Sequence, residues 1–167
     1  MNIVVKIYRN FRRSVATFHG KLQCNMGKDV KVNHFSKFTR KTIVGNHSNF
    51  NGIHITGGGN VKIGNYFHSG AECLLITSNH NYDNGNAIPY DGTYVNKDII
   101  IDDFVWIGMR VTILGGVHIG KGAIIQAGSV VVGDIPDYGI AGGAPARVFK
   151  YRNKEHFDDM YDQKQFN

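Results

Sequence analysis

From Ile101 to Pro136 an aliphatic residue returns every six positions: Ile101, Ile107, Ile113, Ile119, Ile125 and Val131. A second column, four residues on, holds Val105, Val111, Val117, Ala123, Ser129 and Ile135, all small or β-branched. An α-helix repeats near 3.6 and a free strand near 2, whereas a period of six suits strands of one fixed short length. Gly116, Gly122 and Gly128 stand just before the small column, and glycine tolerates the positive φ of a sharp corner. A short strand, a corner and another short strand, repeated at constant length, predict coils stacked on coils. That is a parallel β-helix.

The rhythm extends upstream less cleanly. Val32, Phe38, Val44 and Phe50 hold it, with Ser36, Thr42 and Ser48 in the small column. The frame slips around Thr56-Gly57-Gly58-Gly59-Asn60 and resumes at Ile63-Gly64, followed by Ser69 and Leu75. Cys73 falls in the small column and reads as a packing residue, because free cysteine behaves as a small buried hydrophobe. The pattern stops from Asn81 to Asp98, a stretch rich in Asn, Asp and Gly that reads as a loop leaving the helix between two coils. Its three tyrosines and Ile88-Pro89 argue against disorder, and long ordered loops are usually functional. Gly139 to Ala146 reads as a compact turn, and the polar tail from Arg147 as ending in a helix from about Asn153. The chain is then one domain. It comprises a cap (1–25), a β-helix (26–136, roughly five coils, with the inserted loop 81–98), and a turn and tail (137–167).

At the start, Ile3, Ile7, Tyr8 and Phe11 fall near helical spacing, with Lys6, Arg9, Arg12 and Arg13 between them. Those cations break any signal-peptide shape. A short helix closing the first coil is expected, since solenoids need their ends covered. A membrane-surface helix is the alternative.

The net charge of +6 points to an anionic partner. Nucleic acid, a membrane surface and a phosphorylated cofactor all satisfy it. The cations gather toward the termini rather than in a stripe with aromatics, which argues against nucleic acid. Two cysteines are too few for a disulfide framework. No apolar run reaches spanning length, so stable membrane insertion is not expected and the reading is cytoplasmic.

Candidate chemistry sits where the rhythm breaks. His80 is the last residue before the loop, placed to face a cleft, and a neutral imidazole can take a proton from a hydroxyl near neutral pH. The plain alternative is one surface histidine among eight. Trp106, the only tryptophan, is either a stacking platform or packing between coils, and packing is the simpler reading. Arg147, Lys150, Arg152 and Lys154 form either a solvated charged face or an anion clamp. Neither GxxxxGK[ST] nor GxGxxG occurs, so nucleotide binding at a glycine-rich loop is unsupported.

The hexapeptide rhythm, Ser78-Asn79-His80 before the insertion, Val105-Trp106-Ile107-Gly108 after it, Ala127-Gly128-Ser129, and Gly143-Ala144-Pro145-Ala146-Arg147 together resemble the hexapeptide-repeat acetyltransferases. The nearest branch is the maltose, galactoside and polysaccharide O-acetyltransferase type. The likeness covers about residues 26 to 150. It implies a left-handed parallel β-helix with a protruding loop and short terminal helices. It also implies a homotrimer with active sites between protomers, acetyl-CoA as donor and a saccharide hydroxyl as acceptor, with no metal.

By the same resemblance His80 is the general base, and the loop reaches over the neighbouring protomer. Trp106, Gly108, Met109, Ala127, Val132 and Gly133 line the pantetheine groove. Arg147 and Lys150 meet the nucleotide end. Val132-Gly133 replaces a polar pair common in the family, leaving backbone contacts there. Asn49, Asn79 and Tyr82 are implied acceptor contacts. Where galactoside enzymes carry an acidic acceptor contact, this chain has Gly57-Gly58-Gly59, which argues against galactoside as the acceptor.

An amino-sugar or xenobiotic acceptor is an alternative. Zinc-dependent β-helix carbonic anhydrases share the fold, but the nearest histidine pair, His47 and His54, lacks the cluster a zinc site needs. A non-catalytic assembly module is the remaining reading.

Overall fold

The structure is a computed structural model and describes residues 3–167. In chain order its elements are α1 (Ile3–Gln23), β1 (Asn25–Met26), β2 (Lys31–Val32), β3 (Thr42–Val44), β4 (Asn49–Phe50), β5 (Ile53–Thr56), β6 (Val61–Ile63), β7 (His68–Ser69), β8 (Cys73–Ile76), β9 (Ser78–His80), β10 (Tyr94–Asn96), β11 (Ile99–Ile101), β12 (Trp106–Ile107), β13 (Thr112–Leu114), β14 (His118–Ile119), β15 (Ile124–Ile125), β16 (Val130–Val131), β17 (Gly139–Gly143), β18 (Ala146–Tyr151) and α2 (Lys154–Asp162).

The short strands stack into three parallel ladders, one per face of a prism. They run β1-β3-β6-β11-β14, β2-β4-β7-β12-β15-β17 and β5-β8-β13-β16. The expected parallel β-helix is therefore present. The second face carries six parallel rungs, one more than the rhythm suggests. The extra rung is β17, which was expected as part of a compact turn. It pairs in parallel with β15 and then folds back as an antiparallel hairpin with β18.

The two sequence columns form the core. Ile101, Ile107, Ile113, Ile119, Ile125 and Val131 are buried, as are Val105, Val111, Val117, Ala123, Ser129 and Ile135. Upstream, Val32, Phe38, Val44 and Phe50 continue the buried column. A six-residue period works because six is even, so equivalent residues return to the same side of the pleat. Cys73 is buried, and burial raises its thiol pKa. Burial pushes Cys24 up to about 12. Neither thiol has the thiolate character of a nucleophile, which accords with packing roles.

The corners follow the glycine signal, with φ of 95° at Gly116, 67° at Gly122 and 73° at Gly128. Phe104 and Arg110 adopt the same turn with side chains attached, at φ of 60° and 57°. Along the Phe104 edge the corner rings stack. The His47 and Tyr66 rings lie 4.8 Å apart, and Tyr66 and Phe104 lie 4.9 Å apart and nearly parallel. On the next rung Gly122 leaves a gap, and Phe157 of α2 fills it. A Cβ added at Gly122 would sit 3.1 Å from that ring. Phe157 meets Phe104 and Tyr138 edge-on at 5.9 and 5.1 Å. Asn153, where the terminal helix was expected to start, caps α2 by accepting from the His156 N–H.

The second half of α1 closes the first coil. Gly20 is buried against Met26 and Phe38, Thr17 Oγ1 accepts from the Val32 N–H at 2.9 Å, and Gln23 Oε1 accepts from the Phe38 N–H at 2.7 Å. Every residue from Ile3 to Phe11 is exposed.

Candidate active site

His80 ends β9, the continuation of β8 beyond the core. The stretch after it is not loop throughout. Its far arm, β10, returns antiparallel to β9 and places Tyr94 directly across from His80. Tyr90 stacks on the imidazole at 3.6 Å between centroids and Tyr94 leans on it at 4.4 Å. The ring thus lies among residues of the protruding hairpin, outside the prism. Its Nδ1 is buried and has no hydrogen-bond partner. Nε2 is left as the nitrogen that can meet an incoming group.

The hairpin is tied by one carboxylate. Asp91 accepts from Thr93 N–H and Oγ1 at 2.8 and 2.6 Å and from Asn86 N–H at 2.9 Å. Those bonds pull its pKa down to about 2, led by the Thr93 hydroxyl. The carboxylate is therefore ionised through neutral and mildly acidic pH, and the tie holds there.

His80, Asn79 and Tyr82 line a cleft of about 210 Å³ together with Thr77, Lys97 and Gly115. Trp106 and Lys150 line a separate cleft of about 760 Å³, with Tyr66, His68, Phe104 and side chains of α2. The two clefts share no residue. Trp106 is 53% exposed, so it lies on the outer face and is not packed between coils. It belongs to an outward ladder. Asn49 pairs with His68, His68 with Trp106, Trp106 with Ile124, Ile124 with Ile140, and Ile140 with Lys150. Asn49 is occupied within that ladder, accepting from Asn33 Nδ2 at 2.7 Å.

Gly108, Met109 and Ala127 meet at the adjoining corner. A Cβ on Gly108 would sit 2.5 Å from the Ala127 nitrogen, and the Gly128 N–H donates to the Met109 carbonyl at 2.9 Å. Gly108 is required there because two backbones touch. Met109, Ala127, Val132, Gly133 and Arg147 are all exposed and line neither cleft. Sequence reasoning missed Tyr90 and Tyr94, the residues that hold the imidazole. No sequence signal marks Tyr94, because β10 is exposed along its whole length. Among the described residues, no group of three or more His, Cys, Asp or Glu side chains could hold a metal ion.

A prism of short parallel strands that turns a corner every six residues defines the hexapeptide-repeat solenoids. Residues 98–133 match the bacterial transferase hexapeptide (six repeats) family. The galactoside O-acetyltransferase of Lactococcus lactis subsp. lactis is 34% identical over 113 residues, 68% of this chain and 53% of that protein. A putative lipopolysaccharide biosynthesis O-acetyl transferase of Escherichia coli is 39% identical over 70 residues, 42% of this chain and 36% of that protein. The solved structure of a hexapeptide-repeat acetyltransferase from Vibrio cholerae O1 biovar eltor, complexed with acetyl-coenzyme A, superposes with a TM-score of 0.71. It is 28% identical and the match covers 81% of this chain and 74% of that one. The chain shares the hexapeptide-repeat solenoid fold and its repeat sequence with these acetyltransferases. It spans about half the length of the first of these relatives and less of the second.

Proposed function

We propose that this protein is an acetyl-CoA-dependent O-acetyltransferase that works on a saccharide hydroxyl, with His80 as general base. The observation that carries the reading is the His80 ring, held between Tyr90 and Tyr94 at the mouth of a cleft and outside the core. The relatives' names supply the reaction class. Acetyl-CoA, when bound, supplies an acetyl group activated as a thioester.

The residues present fit such a donor. Met109, Ala127, Val132 and Gly133 are exposed on the coil corners, and a Cβ placed at Gly128 or Gly133 would meet no atom within 4 Å. An extended pantetheine needs that kind of narrow, unobstructed surface. Trp106 and Lys150 border the track on the next face, and Arg147 stands exposed on β18 to meet phosphate oxygens.

His80 takes the acceptor hydroxyl proton at Nε2 and holds it for the leaving group. The neutral ring must then carry its own proton at Nδ1. Buried without an acceptor, that N–H costs about 1–3 kcal/mol. A carbonyl or hydroxyl brought by the acceptor or by an adjoining protomer removes the cost. The protein acts as a homotrimer in this reading. A second copy would bring the histidine cleft of one chain to the Trp106 face of the next, which a single chain keeps apart. Asn79 and Tyr82 face the acceptor. Asn49, on the opposite ladder, meets it only from the neighbouring copy.

The test is release of CoA thiol from acetyl-CoA against a panel of free and nucleotide-linked sugars and amino-sugars. Turnover with a hydroxyl acceptor is expected, and product mass gives the bond formed. No release with any acceptor would refute the assignment. Arg147→Ala is expected to weaken CoA binding roughly ten- to a hundredfold, the worth of a charge-assisted hydrogen bond. Calorimetry checks it, and an unchanged affinity removes Arg147 from the donor site. The substitution spares the fold, because this side chain bonds only to the neighbouring Ala146 carbonyl.

A further inference from the structure

We propose that α1 is an interfacial helix that docks the protein on an anionic lipid bilayer. The helix has two opposed faces. One is tied to the solenoid through Arg13 to Asn33, Thr17 to Val32, Gly20 to Met26 and Phe38, and Gln23 to Phe38. The other carries Tyr8, Phe11, Val15, Phe18 and Leu22, with Val4 continuing the same spacing of three and four. All are more than half exposed. Residues at that spacing share one side of a helix, and at 100° per residue this stripe is centred roughly opposite the tied face. The solenoid to which α1 is attached therefore cannot cover it.

Charge decides what does. From Ile3 to Gln23 the helix carries Lys6, Arg9, Arg12, Arg13 and Lys21 and not one Asp or Glu. A second copy meeting along the stripe would bring Arg12, His19 and Lys21 of each helix to the seam with no acid to pair them. Helix-on-helix association uses complementary charges at those flanking positions. An apolar stripe beside cations alone, on a helix about 30 Å long, matches a surface of phosphate headgroups over acyl chains. The stripe would enter the acyl boundary while the flanking Arg12 and Lys21 stems reach back to the headgroups. No described helix is long and apolar enough to cross a membrane, so α1 would lie along the surface. The first half, Ile3 to Phe11, is exposed along its whole length. This inference is independent of the transferase reading, and acetyl transfer is not read in its test.

The experiment is co-sedimentation of the chain with vesicles of phosphatidylcholine and phosphatidylglycerol in equal parts, against vesicles of phosphatidylcholine alone. Binding to the anionic vesicles only is expected, falling as salt rises. Phe11→Asp with Phe18→Asp should lower affinity at least about tenfold, since two buried aromatic side chains are lost. Lys21→Gln, which removes a cation flanking the stripe, should lower it roughly fivefold. Lys21 is exposed, so this variant keeps the test valid if the aspartates disturb folding. The proposal is overturned if the protein stays in the supernatant with anionic vesicles. Equal binding to both vesicle types would also overturn it. So would a smaller assembly by light scattering, in vesicle-free solution, for the aspartate variant, since a second copy would then be what covers the stripe.

Discussion

His80→Ala is expected to lower kcat by roughly 10²–10⁴-fold, the usual worth of a positioned general base, with CoA affinity unchanged. The ring is set apart from the buried columns, so its loss leaves the core intact. It contacts Tyr90 and Tyr94 of the hairpin and has no side-chain hydrogen bond to give up. Steady-state thiol release with calorimetric CoA binding separates chemistry from binding. His80→Asn keeps a planar polar side chain without a basic nitrogen and should fall nearly as far. Near-normal turnover in either variant would remove the base assignment, whereas a loss of CoA affinity equal to the loss of turnover would make the residue structural.

Gly108→Ala is expected to destabilise the solenoid by about 1–3 kcal/mol, the typical cost of overpacking a close contact. The new methyl would lie 2.5 Å from the Ala127 nitrogen and 2.8 Å from its Cα, both backbone atoms with no rotamer to yield. The coil carrying Met109 would have to lift from the coil carrying Ala127. Thermal unfolding should fall by about 2–4 °C for each kcal/mol in a chain of this size. Gly133→Ala is the control, because its Cβ meets open space. Equal melting of the two variants would show that the coils are not held at this spacing.

The prism was legible because its core obeys a strict count. Every member of the columns from Ile101 to Val131 and Val105 to Ile135 is buried, because period and pleat agree. The count failed where burial no longer selects the residues. β10 is exposed along its whole length, so Tyr94-Val95-Asn96 carries no alternation to betray a strand. β17 hides behind glycines, and its buried Ala141 pairs with Ile125 at an offset of sixteen rather than a multiple of six. The hairpin's grip on His80 depends on ring stacking from Tyr90 and Tyr94, and no linear spacing encodes that. Trp106 was misjudged for a related reason. Its neighbours in the register, His68 and Ile124, belong to other coils, and the outward side of a ladder is open to any residue.

The notch at Gly122 makes the carboxy-terminal helix a gauge of how many coils follow that corner. Phe157 seats on one rung only, since the rungs below present the Tyr66 and Phe104 rings and the one above presents Tyr138. Inserting or deleting an eighteen-residue turn between that notch and the tail would leave the key and its slot out of step. Sequence drift in this protein is thereby free to change side chains along the prism but not the tally of floors beyond that notch.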